Sequence, residues 1–386
     1  MIRRLTQREW FLPVVFLALF LQACVNEPGV VGSGLIPATD LTQADTLDLA
    51  ATRSSGFSSV SDSLTTSVVV AIGKTPNLEA WGLVIFDGFA SVFDSIAVQS
   101  AELRFRATYH LGDSLGQFSL AVRKALSSWR RPSFTYSDLR QPGFYEEPAR
   151  STHNAGSIGD TADIAIPLDT ALVNSWFRAD SANQNFGIVL EPTNTTVIKG
   201  FITPQLYVVY IHPDSTDADT TSFTAPFGDY MFVAQAADTS FLQDSTSIRL
   251  RGGASYRGIV DFDIAALPRF SAVHRALLEL SADAAGSDFS SAVSDSVMAI
   301  FIDSQGLYAR FEAISDVFTT SGQKIYSINI TPFVQFWTQG VGLPRVGLRI
   351  YSERNEVDGL SVHGSAAPDP ALRPKLRIIY SSTTRP

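Results

Sequence analysis

The sequence carries one ordered set of landmarks twice, and this constrains the fold more than any single motif does. The segment Trp81 to Asp87 matches Arg257 to Asp263, pairing Gly82 with Gly258 and Phe86-Asp87 with Phe262-Asp263. Thr170 to Trp176 matches Thr331 to Trp337, with a tryptophan closing each stretch. Asn185 to Leu190 then matches Arg345 to Ile350 around Gly187 and Gly347, and Pro204 to Tyr210 matches Pro374 to Tyr380. The spacing between copies drifts only between landmarks, as loop insertions require, so the pattern reads as a duplication of one structural unit.

Within each copy the apolar period is two. Ala101, Leu103, Phe105 and Ala107 alternate with Glu102, Arg104 and Arg106, and Ala276, Leu278 and Leu280 repeat the register in the second copy. Such alternation puts one face of a strand in a core and the other in water. Val297 to Ile302 is apolar on both faces, as in a strand covered on two sides, while Leu206 to Ile211 and Leu376 to Tyr380 close the copies with β-branched and aromatic residues. One helical signal recurs: Thr331 as N-cap, Pro332 at the first helical position, then Phe333, Phe336 and Trp337 on one face, echoed by Thr170, Leu172, Val173 and Trp176. The fold class is therefore all-β, two tandem β-sandwich modules each with one short helix. The first module spans 45–212 and the second 228–382. The polar stretch 213–227, without apolar periodicity, is the linker between them.

The amino end reads as a processing segment. Arg3, Arg4 and Arg8 precede an apolar run from Trp10 to Leu21, too short for the roughly 20 residues that span a bilayer. Residues 1–23 are accordingly a signal peptide, and the ending Leu21-Gln22-Ala23-Cys24 resembles the lipobox of bacterial lipoproteins, which implies lipidation at Cys24. Cys24 is the single cysteine, so no internal disulfide is available to it. Acyl chains contribute about 0.8 kcal/mol per buried CH₂, which implies a durable membrane anchor. The Gly-rich stretch after it makes 24–44 a flexible tether. No Asp follows Cys24, and the resemblance then implies the outer membrane, with the face left open. Removal of residues 1–23 takes away three Arg and one Glu and moves the formal charge from −9 to −11. An acidic exported body argues against nucleic acid as a partner.

The order of a Phe-Asp strand, an Ala-x-Leu-x-[FL] strand, Thr-x-x-Val-x-x-Trp, Gly-[IL]-x-[LI] and Pro-x-Leu-x-[VI]-[VI]-Tyr is similar to the DNRLRE-type module. Trp129 with Phe134-Thr135-Tyr136 resembles that family's Trp-x-x-x-x-[VF]-Thr-[WY] segment. The resemblance covers most of 65–211 and 228–380, and it implies a jelly-roll β-sandwich related to carbohydrate-binding modules. The second copy keeps Phe318-Thr319 but has Ala313 where the tryptophan belongs. Arg257 survives of the Asn-x-Arg entry, and Trp81 replaces it in the first copy.

Trp176 and Trp337 read as plugs at the end of a sandwich core, and core packing is also the first reading of Trp129. Trp81, facing an arginine in the other copy, is free to be exposed. The stretch Arg140 to Asp160 reads as a long polar loop that can bind ligand. The candidate ligand-binding residues are Trp129, Tyr136, Phe144, Tyr145 and Asn154, because saccharides stack on exposed aromatic rings beside polar side chains. No catalytic constellation is visible: His110, His153, His212, His274 and His363 are scattered, and adjacent Glu146 and Glu147 on an extended segment point apart. A structural calcium ion would sit near Asp261 and Asp263 or near Asp283 and Asp288, although solvated carboxylates are the ordinary reading and no cofactor is expected. These observations lead to a non-catalytic envelope lipoprotein that binds a polysaccharide or an envelope partner. The alternative is a scaffold subunit of an outer-membrane or secretion assembly that binds protein.

Overall fold

A computed structural model describes residues 44–58, 67–90, 93–131, 134–178, 184–292, 295–306 and 308–382. The signal segment 1–23, Cys24 and the tether up to residue 43 lie outside the described residues. From residue 46 onward the chain is one compact unit. It is all-β, with antiparallel pairing wherever the register is described and two sheets that curl over their own cores, as in β-sandwiches.

The first sheet is built from β3 (Val70–Lys74), β4 (Leu78–Val84), β5 (Ala97–Gly112), β6 (Phe118–Lys124), β7 (Ser151–Gly156), β8 (Asp163–Pro167), β9 (Ile188–Pro192) and β10 (Val197–Ile211). Their order is β7-β6-β9-β4-β3-β10-β5-β8. The second sheet uses β13 (Ser247–Arg251), β14 (Tyr256–Asp261), β15 (Ala272–Ser281), β16 (Val297–Ile302), β17 (Tyr308–Thr320), β18 (Gln323–Asn329), β19 (Arg345–Ile350), β20 (Gly359–His363) and β21 (Lys375–Ser381). Its run β16-β19-β14-β13 repeats the run β6-β9-β4-β3 of the first sheet. The alternating strand β5 behaves as its sequence demands, with Ala101, Leu103, Phe105 and Ala107 buried and Arg104 and Arg106 in water. Val297–Ile302 is buried along its whole length, as its two apolar faces require.

Four strands lie where their position in the chain would not place them. β1 (Asp45–Ala50) pairs with β21 and β2 (Arg53–Ser58) with β14, both in the second sheet. Reciprocally, β11 (Ala218–Thr224) pairs with β10 and β12 (Tyr230–Ala236) with β4, both in the first. The bonds that fix the exchange are matched: Ala51 donates to the Pro374 carbonyl at 3.0 Å and Ala225 to the Pro204 carbonyl at 2.9 Å. Gly56 stands opposite Gly258, and Phe232 opposite Gly82. This corrects two expectations. Residues 45–58 complete the second sheet rather than the first, and nearly half of the expected linker is strand β11, whose Thr and Ser side chains hide the period while Phe223, and Ala225 just after the strand, turn inward. An uncovered sheet edge or face costs unpaired amides and exposed apolar area, and each leading segment covers the neighbour it reaches.

The helices α1 (Tyr136–Leu139), α2 (Thr170–Phe177) and α3 (Thr331–Thr338) are short. α2 and α3 repeat one contact: the side chain of Asn174 accepts from Val98 N at 3.1 Å, and Gln335 accepts from Val273 N at 2.9 Å. Trp176 and Trp337 are each 5 % exposed, one in each core, and neither indole N–H has a partner among the described residues. Capping departs from expectation. Thr331 is not the N-cap of α3; its hydroxyl accepts from Ala276 N at 2.8 Å and ties the helix to β15, and Ile330 holds the cap position.

Gly82 and Gly258 explain why that landmark recurs. A Cβ on Gly82 would come within 2.5 Å of Val70 Cγ1, and one on Gly258 within 2.3 Å of Ile248 Cγ2. Both glycines let a neighbouring β-branched side chain lie flat across the strand. Gly82→Val and Gly258→Val are each expected to cost about 1–3 kcal/mol, the usual overpacking range, with chemical denaturation as the readout. A midpoint unchanged from wild type would remove this account of the repeat.

Candidate functional site

The region that gathers most of the predicted residues lies on the outer face of the first sheet. Trp129 is 2 % exposed and its indole donates to the Phe186 carbonyl at 2.8 Å, so it anchors a fold-over loop and offers no ring to a ligand. Phe144 is buried against Phe134 at 5.2 Å between ring centres. Thr135 caps α1: its hydroxyl accepts from Asp138 N, and Asp138 Oδ2 accepts from Thr135 N at 2.8 Å. The Trp-to-Tyr motif is thus an anchor, a plug and a helix cap in sequence, which leaves Tyr136 as its one half-exposed ring.

Tyr136 and Tyr145 do reach one surface. Tyr145 lies 5.8 Å from Trp81 between ring centres, the Arg140 guanidinium sits 5.0 Å over the Trp81 ring, and Arg140 Nη1 donates to Tyr145 Oη at 3.4 Å. Trp81 is 1 % exposed and donates to Glu79 Oε1 at 2.7 Å, so the exposed ring expected there is instead covered by this layer. Burial resists ionisation of Glu79, but the Trp81 and Lys74 hydrogen bonds outweigh it and hold the carboxyl below its usual range. Burial and the adjacent Glu79 charge push the Tyr136 phenol up to about 12, so it remains a neutral donor near neutral pH. Asn154 does not join them. It is exposed on β7, with its side-chain oxygen accepting from Gly156 N at 3.1 Å. The stretch expected as one long loop contains β7, which pairs with β6.

Beside Tyr136 a cleft of about 340 Å³ opens where α1, the exchanged strand β12 and the turn before β14 meet. Its walls include Tyr136, Ser137, Gln235, Thr239, Ser255 and Tyr256. Ser255 is the unusual member. It is 1 % exposed, its backbone holds a left-handed φ of 51°, and its hydroxyl has no hydrogen-bond partner among the described residues. Strain and an unsatisfied buried hydroxyl each cost roughly 1–3 kcal/mol, and they coincide in the wall of a cleft. Across the 3-10 turn Ser240–Gln243 lies a second cleft of about 250 Å³, and the Phe241 and Tyr256 rings, 5.4 Å apart and edge to face, stand between the two. Here Arg251 donates to the Val357 carbonyl at 3.1 Å and to Asp288 Oδ2 at 3.3 Å, and its guanidinium lies so flat on Gly359 that a Cβ there would be 2.4 Å from Nη2. Arg249 sits 5.4 Å over the Phe241 ring. The charged side chains lining this cleft are Arg249, Arg251, Asp238 and Asp288, which balance.

The carboxylates considered for calcium have partners within the protein. Asp261 faces Arg345 and Arg53, and Asp263 accepts from Ala265 N. Asp283 accepts from Ser361 Oγ and Gly286 N, and Asp288 from Arg251. Sequence reasoning missed Ser255 and Tyr256, which belong to the second copy and meet Tyr136 in one cleft beside the exchanged strand β12, and it missed Arg249 and Arg251 of the second cleft. The pair Gly252-Gly253 was the one local sign of an unusual turn there: a Cβ on Gly253 would strike Phe232 at 2.5 Å.

No family model matches the chain, and no curated protein matches it. Among solved structures it is similar to a putative secreted protein from Parabacteroides distasonis ATCC 8503, at 9% identity over 88% of this chain and 100% of that one, with a TM-score of 0.23. It is also similar to the VP2 subviral particle of infectious bursal disease virus, at 12% identity over 92% of this chain and 82% of that one, with a TM-score of 0.15. Similarity at this level carries no argument about fold or function.

Proposed function

We propose that this chain is a non-catalytic lipoprotein of the cell envelope. In this reading it is anchored to the outer membrane through lipidated Cys24, and its two tandem jelly-roll modules of the DNRLRE type bind a polysaccharide at their junction. The observation that carries the reading is the 340 Å³ cleft that sets the half-exposed Tyr136 ring beside the exposed Gln235 and Thr239 side chains. A sugar ring has an apolar face for the phenol and hydroxyls for the exposed Gln235 and Thr239, and the cleft volume falls within the usual ligand range of about 300–1,000 Å³. The balanced charges of the adjoining cleft favour a neutral glycan. Titration calorimetry of the soluble body against a panel of neutral and acidic oligosaccharides tests this. Tyr136→Ala is expected to weaken the best ligand at least about tenfold, or ~1.4 kcal/mol. Ser255→Gly, which relieves the left-handed backbone and an unsatisfied hydroxyl, is expected not to lower the melting temperature. No heat from any glycan sinks the reading.

A second reading, a scaffold that binds protein, is favoured by β17. Each half of this strand has no neighbour along one side among the described residues, and it exposes Ile314, Val317 and Phe318. Such an edge can add a strand from a partner. Crosslinking and co-purification from envelopes separates the two readings.

A further inference from the structure

The first sheet carries a second concave surface that shares no wall residue with the cleft beside Tyr136. A groove of about 560 Å³ runs over β5, β8 and β10, and its walls include Arg104, Arg106, Asp163, Thr203 and Gln205. Alternation along β5 puts Arg104 and Arg106 on one exposed face, two residues and so about 7 Å apart. Arg104 is already held: its guanidinium lies 3.7 Å from the Tyr207 ring centre, and its Nε and Nη2 donate to Glu102 Oε2 at 3.0 and 2.8 Å. Arg106 takes part in no hydrogen bond or ion pair among the described residues. Asp163 is its register partner on β8, yet the two form no ion pair.

The sheet bulges at the same place. Arg106 pairs with Ile202 and Arg104 with Gln205, so Thr203 and Pro204 together stand opposite Phe105. Thr203 is exposed and holds a left-handed φ of 54°. A glycine would hold that φ without strain, whereas a β-branched residue is strained there. Bulges re-aim side chains, and this one sets a hydroxyl in the wall of the groove beside the Gln205 amide. The second copy lacks the set: Glu279 and Ser281 stand where Arg104 and Arg106 do, and Glu279 pairs in register with Lys375. The shared plan of the two copies therefore does not demand the arginines.

We propose that this groove is a second ligand site, which takes a uronic-acid unit of an acidic polysaccharide. Arg106 offers its planar fork of N–H donors to the sugar carboxylate, the geometry that pairs best with that group. Thr203 and Gln205 both donate and accept, so they suit the ring hydroxyls, and Asp163 accepts from a further one. The same Asp163 charge repels a phosphate or sulfate placed in the groove, which favours a singly charged sugar over a denser anion. This site goes beyond the neutral-glycan cleft and stands without it, because the two have separate walls.

The test is titration calorimetry of the whole mature chain at low salt with short oligomers of galacturonic and of mannuronic acid, each beside its methyl ester. At least one acid is expected to bind saturably and about tenfold or more tighter than its uncharged ester, and to weaken as salt is raised. Arg106→Ala should weaken that acid at least about tenfold and leave the melting temperature unchanged, since the side chain is exposed. Thr203→Gly should weaken it without lowering the melting temperature. Tyr136→Ala should leave it untouched, so failure of the junction cleft and failure of this groove are told apart. The site is overturned by no saturable binding of either acid, by equal binding of acid and ester, by binding that survives Arg106→Ala, or by an aspartate-rich peptide that binds more tightly than both.

Discussion

A chain cut at residue 212 is expected not to fold. The fragment 44–212 keeps the strands of the first sheet's centre but loses β11 and β12, and it carries β1 and β2 with no β21 or β14 to receive them. Without β12, the core loses Met231, Phe232 and Val233, all buried. Burying each such side chain is worth about 1.5–3 kcal/mol, against a total domain stability of about 5–15 kcal/mol. The bare edges of β4 and β10 add unpaired amides and a template for aggregation. Circular dichroism should therefore show no cooperative melt for 44–212 or for 213–382 alone. Co-expression of the two fragments should restore it, because each brings the strands the other lacks. A cooperative melt of 44–212 alone would refute the exchange.

The second large effect is on pH. Stability is expected to fall as pH rises from about 4.5 through 7. Burial, reinforced by the Asp358 carboxyl, raises the Glu356 pKa from 4.5 to about 7, while the Ser352 hydroxyl bond opposes this. A group whose folded-state pKa is raised contributes fully below its unfolded value and loses that contribution through its folded value. Glu356→Gln removes the titration and is expected to flatten the profile, leaving the variant more stable than wild type at pH 8. Urea midpoints at several pH values read this directly, and a wild-type midpoint that rises between pH 5 and 8 contradicts it.

Much of the candidate site was legible in one part and invisible in another. Trp129, Phe134, Thr135 and Tyr136 stood out as a motif, and their local roles follow from chain geometry: a ring to bury, a hydroxyl to cap a turn, a phenol left at the rim. Which of those rings met solvent was not legible. Trp81 looked free because its counterpart is Arg257, yet Arg140 and Tyr145 cover it. Exposure depends on what packs on top, and residues far along the chain supply that cover. Thr331 shows the same limit on a smaller scale, since its hydroxyl had a cap to fill nearby and a strand amide to satisfy across the fold, and it took the amide.

The sequence by itself determined strands such as β5, β10, β16 and β21, the two helices that close on tryptophans, and the recurrence of one plan, because a period of two and a glycine at a crowded crossing are local demands. Only the tertiary structure decided that β1 and β2 serve the second sheet and β11 and β12 the first. Strand pairing joins whichever edges meet in space, and a backbone amide satisfied by a distant carbonyl leaves no mark in the residues around it.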